Sequence, residues 1–218
     1  MIIVIQCAAS KRVDAGRLRS ADGKPVMFVA DPESAPADPA HLYTRPDDPS
    51  GRGGSWRQAL LEYNQEPHDN PLGLYPAWQL YENKTYGRLV DRLGVKKVYI
   101  LSAGWGLIRA DFLTPYYDIT FSPSAEAYKR RRKTERYQDF RMLPDETDGH
   151  VLFFGGKDYL PLFCALTKTV RGEKTVFYNS GHVPEVTGCA LKRFDTTTRT
   201  NWHYECANAF LEGALRVE

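Results

Sequence analysis

The sequence predicts one α/β domain over residues 1–218, with a largely parallel or mixed central sheet flanked by helices. Three observations predict it. Short β-branched, apolar runs without polar alternation recur, as expected of strands buried on both faces. Stretches with helical spacing separate them. The 218 residues, 42% hydrophobic and 26% charged, are enough for one sizeable core.

Taken in order, "IIVIQC" (2–7) reads as a fully buried strand and "PVMFVA" (25–30) as a second. Residues 31–54 are rich in Pro, Asp and Gly and read as an insertion or mobile loop. Ser55 is placed to cap a short helix, "WRQALLEYN". Over 75–94, Tyr81, Tyr86, Leu89, Val90 and Leu93 repeat at helical spacing, and Gly94 is a natural stop. "VKKVYIL" (95–101) is the next strand. Residues 122–140 read as a basic helix capped by Ser122 or Ser124. "HVLFFGG" (150–156) is a strand, and "YLPLFCALTK" the helix after it. "KTVFYNSG" (174–181) is another strand. "NWHYECANAFLEGAL" (201–215) closes the chain as an amphipathic helix with Asn201 as its cap.

Several classes are disfavoured. Net charge is only +2, so a polyanion site must come from local clustering. No apolar run approaches the roughly 20 residues that span a bilayer. Met1 leads directly into "IIVIQC" without a basic n-region, so a leaderless cytoplasmic protein is expected, with no membrane partner. Cys7, Cys164, Cys189 and Cys206 form no CxxC and supply no zinc spacing; they read as reduced, mostly buried side chains. No metal and no cofactor is implied. GxxxxGK[ST] and GxGxxG are both absent.

In an open α/β sheet, ligands bind where loops leave the carboxyl ends of strands. Four predicted strands end alike, in "CAASKR", "LSAGWGL", "FFGGKDY" and "YNSGH". Small residues let backbone amides approach a ligand, and Lys and Arg beside them suit an anion. The expected rim carries Ser10, Lys11 and Arg12; Ser102, Gly104 and Trp105; Lys157; and Asn179 with His182.

"CAASKR" after a first strand, with "YILSAGWGLIRADFLTPYYDITF" (99–121), resembles the peroxide-stress protein YaaA family and its bacterial and phage relatives. "VLFFGGKDYLPLF" is similar to the strand, loop and helix that follow in that family. The opening turn also resembles that of the archaeosine synthase core domain, where a lysine attacks a modified base. The resemblance covers residues 1–12 and 75–168 and implies an α/β fold and DNA binding, close to nucleobase-modifying enzymes. The 31–54 stretch lies outside the pattern, and Trp105 stands where relatives often carry Lys or His with an aromatic.

Individual residues are then assigned against plainer alternatives. Lys11 is a phosphate ligand or an amine nucleophile, or else a surface lysine. Tyr116 and Tyr117 are stacking rings, or else packing. Asp118 activates water or stabilises an oxocarbenium-like sugar, or else caps a turn. Asn179 reads a base edge, and His182 moves protons or merely occupies a turn. Lys129, Arg130, Arg131, Arg132, Lys133 and Arg136 form a DNA-binding helix face, or a solvated one. Arg199, Asn201 and His203, just before or at a helix N-terminus, make an anion site, or a hydroxyl-rich loop and cap. The function expected is a DNA-binding enzyme acting on a nucleobase or its N-glycosidic bond. The alternatives are a non-catalytic DNA-binding stress protein and a nucleotide or nucleoside hydrolase. Oligomeric state is not legible.

Overall fold

A computed structural model describes residues 1–66 and 69–215. In chain order the elements are β1 (Ile2–Gln6), β2 (Val26–Phe28), β3 (Leu42–Thr44), α1 (Trp56–Gln65), β4 (Tyr75–Pro76), α2 (Ala77–Leu80) and α3 (Thr85–Leu93). They continue with β5 (Val98–Ser102), β6 (Gly106–Arg109), β7 (Leu113–Thr114), β8 (Phe140–Arg141), β9 (Val151–Phe154), α4 (Leu160–Leu166), β10 (Lys174–Tyr178), β11 (Ala190–Arg193) and α5 (Trp202–Leu211).

Seven strands form a mixed, mostly parallel sheet in the order β11-β10-β9-β1-β5-β6-β8. The apolar runs occupy its centre: β5 and β9 are buried along their whole length, as are Ile3, Val4 and Ile5 of β1. Only β6, antiparallel to β5, and β8 beside it reverse direction. α3 and α5 pack together, with α5 also against β9. The right-handedness of strand–helix–strand connections puts α4 on the opposite face. The α/β reading holds. Among the described residues, no helix is long and apolar enough to cross a membrane.

β1 is the pivot. It pairs in parallel with β9 on one side and β5 on the other. The chain leaves β1 towards β5 and leaves β9 towards β10, in opposite directions. Loops that diverge in this way open a crevice at the carboxyl ends of β1 and β9.

Four local expectations need correction. Residues 122–140 are not a helix. They hold one short 3-10 turn, Ala127–Lys129, between extended segments. Like charges one turn apart repel along a helix, and here Asp118, Asp139 and Asp158 take Lys129, Arg131 and Lys133 in tertiary ion pairs instead. The 31–54 stretch is ordered, with β3 paired to β2 in a small parallel sheet. The predicted helix over 75–94 breaks at Tyr81–Lys84, where the isolated bridge Lys11↔Tyr81 holds the backbone extended. Asn201 sits at the start of α5, but in a left-handed conformation and without a side-chain capping bond. By contrast Ser55 does cap α1, its Oγ accepting from the Gln58 amide at 3.2 Å, and Gly94 ends α3 at φ 87°.

Two buried arginines account for the order of the irregular segments. Arg57, 4% exposed, donates to Asp47 at 2.6 Å and to the carbonyls of Gly104 and Trp105 at 3.0 Å each. Arg131, 3% exposed, donates to the Ala103 carbonyl at 2.8 Å and to both oxygens of Asp139 at 2.9 and 2.6 Å. Truncating one partner of a buried pair strands the other charge, at about 3–5 kcal/mol. Arg131→Ala is therefore expected to lower the unfolding free energy by about that amount in urea titration, while Arg132→Ala, at an exposed position, leaves it unchanged. Equal effects from the two would refute the clamp.

Candidate functional site

A cavity of about 800 Å³ opens at the β1–β9 crevice. Gln6 to Ser10 form one wall, and the Gly155–Leu160 turn after β9 the next. Tyr178, Asn179 and Ser180 follow β10, and Arg199 to Tyr204 bring in the start of α5. Glu82, Asn83, Thr120 and Ser122 complete it.

The walls are tied to one another. The Gly156 amide donates to Gln6 Oε1 at 2.6 Å, bridging β1 and β9. Cys7 Sγ and the Tyr159 hydroxyl lie 3.2 Å apart, with Cys7 buried. Tyr86 donates to the Gln6 carbonyl at 2.8 Å and meets the Tyr204 hydroxyl at 3.0 Å, which fixes α5 against the strand end. Asn179 Nδ2 donates to the Thr198 carbonyl at 3.2 Å and holds the loop before α5.

Of the expected rim residues, Ser10, Lys157, Asn179 and Arg199 line the cleft. Lys157 and Arg199 are exposed and make no ion pair among the described residues. His203 also lines it, buried, with Nε2 lacking a hydrogen-bond partner. Burial lowers its pKa to about 4, so the ring is neutral at pH 7. Gln6, Asn83 and Glu82 were not anticipated. The polar end of the otherwise apolar "IIVIQ" was the signal for Gln6. The cleft's two carboxylates differ: Asp158 is paired with Lys133 at 2.6 Å, while Glu82 has no ion-pair partner among the described residues.

The β5 loop is not part of the cleft lining. Ser102 is fully buried and donates to the Tyr117 hydroxyl at 2.8 Å while accepting the Gly104 and Trp105 amides. Trp105 and Tyr117 are fully buried, so neither ring is free to stack on a base. Gly104 is needed for packing: a Cβ there would stand 3.1 Å from the Tyr117 ring. Tyr116 is half-buried under Arg17, whose guanidinium lies 4.6 Å from its ring centroid. Asp118 is engaged by Lys129 at 2.9 Å. Arg12 turns outward to Asp14 at 2.9 Å and over Tyr75. His182 is exposed outside the lining.

Lys11 is neither a surface residue nor a cleft residue. It is buried, with Nζ 4.2 Å from the Tyr117 ring centroid and 3.3 Å from the Ala9 carbonyl. Burial is the largest influence and lowers its pKa; Cys7 and Asp118 act in the opposite sense. The basic stretch is also largely spoken for. Lys129 is held by Asp118 and by Glu126 at 2.6 Å, Arg131 by Asp139, and Lys133 by Asp158. Arg130, Arg132 and Arg136 remain exposed.

The depressed Lys11 pKa carries a sign. Between the lowered folded value and the ordinary 10.5, the unfolded chain binds more protons, so stability rises with pH through that window. Lys11→Met removes the term. The wild-type unfolding free energy should rise relative to the variant's as pH is raised towards 10.5, read by urea titration at stepped pH. A gap that stays constant with pH would show an amine that is not desolvated.

Comparison with protein-family models, with curated proteins and with solved structures finds no match to this chain.

Proposed function

We propose that the protein is an enzyme acting on a nucleobase or its N-glycosidic bond, with one nucleotide unit seated in the cleft. The observation that carries this reading is the cleft itself, about 800 Å³ at the point where the sheet's connections diverge. Its lining combines small residues at the strand ends, two unpaired cations, amides from Gln6, Asn83 and Asn179, and the half-buried aromatic ring of Tyr178. Those are the groups that take a phosphate, a base edge and a base face respectively. The motif resemblance to the YaaA family points the same way.

Cleavage of an N-glycosidic bond builds positive charge on the sugar, and a carboxylate opposite that charge stabilises it or activates water. Asp118 is held by Lys129, so Glu82 takes this role in the proposal. In DNA, the bond is reached by flipping one nucleotide out of the stack. Arg130, Arg132 and Arg136 are the side chains left to meet the backbone.

Mass spectrometry of free base, after incubation with normal DNA, hypermodified phage DNA and free nucleotides, tests the reaction. Base release is expected from one substrate class. Glu82→Gln should slow it by about 10²–10⁴-fold without weakening binding. Tight binding with no base released from any substrate would instead establish a non-catalytic binding protein.

DNA as the source of that nucleotide has its own test. Changing Arg130, Arg132 and Arg136 together to Ala should flatten the dependence of log K on log salt by about 3, close to one per phosphate contact. An unchanged slope would remove DNA and leave a free nucleotide as the substrate.

A further inference from the structure

The start of α5 forms one side of the cleft. Asn201, at φ 61°, turns the chain sharply into the ten-residue helix and gives it no side-chain cap. The Tyr204 amide bonds the Asn201 carbonyl at 3.0 Å. Among the described residues, the amides of Trp202 and His203 have no acceptor. A helix N-terminus with free amides carries partial positive charge and suits an anion.

A second observation is independent of the helix end. His203 is only 3% exposed, lines the cleft, and has an Nε2 without a partner. A buried polar atom left unbonded is costly, and a ligand group that bonds it recovers that cost. A neutral imidazole offers one N–H donor and one acceptor. Arg199, two residues before Asn201, adds an exposed guanidinium to the same wall. The carboxylate of the first helical turn does not oppose an anion there. Glu205 accepts from the Thr196 hydroxyl at 2.7 Å and does not line the cleft.

Resting on the reading of a nucleotide ligand, we propose that the α5 N-terminus, with Arg199 and His203, is the phosphate subsite of the cleft, so that its ligand is a nucleoside phosphate and not an uncharged nucleoside. Asn179 serves the subsite indirectly, since its bond to the Thr198 carbonyl sets the loop that carries Arg199.

The test is calorimetric titration of the full chain with the common nucleoside monophosphates, the matching nucleosides and inorganic phosphate. A monophosphate is expected to bind at least about tenfold tighter than its nucleoside, as charge-assisted bonds require. Arg199→Ala should remove most of that advantage and leave nucleoside affinity unchanged; the residue is exposed, so the fold is not at stake. The imidazole ¹⁵N resonances of His203 should move with monophosphate and with inorganic phosphate, and His203→Gln should weaken both. Equal affinity for nucleoside and monophosphate, with no response at His203, would overturn the phosphate subsite and leave the nucleotide reading standing. Inorganic phosphate moving His203 while no nucleoside or nucleotide binds would support the subsite and overturn that reading. No binding of any probe would overturn both.

Discussion

Two guanidiniums holding one loop are the constraint on which the rest of the molecule depends. The carbonyls of Ala103, Gly104 and Trp105 all point at Arg131 or Arg57, and each arginine is balanced by an aspartate. A charge this deep is tolerable only with nearly all its donors satisfied, so the aspartates must come with the arginines. Asp47 brings in the Pro/Gly-rich stretch, and Asp139 brings in the segment that leads to β8. Neither segment contains enough regular structure to order itself. Both are ordered because they end on the same loop. That loop in turn seats Trp105 edge-on to Phe28 at 4.9 Å and parallel to Phe140 at 6.4 Å, joining the small sheet to the large one.

The same clamp explains why the basic stretch misleads. "YKRRRKTER" is rich in good helix formers by intrinsic propensity. Which arginine turns inward is decided by tertiary partners: Arg131 finds the Ala103 carbonyl and Asp139, and the Gln138 amide beside it bonds Asp47. No local pattern encodes that. The central strands were legible because burial on both faces needs continuous apolar sequence, and "IIVIQ" and "VLFF" supply it. The edge strand "ALKR" and the short "GLIR" were not, being half polar or opened by a glycine. Gly106 itself is required there: at φ 87° any Cβ would stand 2.7 Å from the Phe140 backbone.

The candidate site was half legible for a topological reason. Small residues at strand ends do mark the carboxyl edge of the sheet, and the loops after β1, β9 and β10 meet in the cleft. The loop after β5 has the same composition, yet it lies beyond β1 from β9. Its polar atoms are turned inward to the arginines and to Tyr117. Strand order, not loop composition, decides which ends share a ligand, and strand order is set by tertiary pairing that a single sequence does not display. His203 illustrates the converse. It lies close to the chain's helical start at Asn201, so its place beside the proposed anion site was readable, but its burial is set by tertiary packing that a local pattern does not encode.

Charge in the cleft is arranged by subtraction. Overall the chain is nearly neutral, at +2, and most charges in and around the site cancel locally: Asp158 with Lys133, Asp118 with Lys129. What is left facing the cavity is Lys157 and Arg199 against Glu82. Cancelled pairs contribute little field beyond about a Debye length, ~8–10 Å, so the uncancelled groups set the local potential. Two cations and a single carboxylate favour a ligand that is anionic at one end and becomes cationic elsewhere during reaction. The proposed substrate, a nucleotide losing its base, is consistent with both features, since its phosphate is negative throughout and its sugar turns positive only at the transition state. An uncharged nucleoside would leave the cations without a partner, and a non-reacting polyanion would leave the carboxylate opposing it.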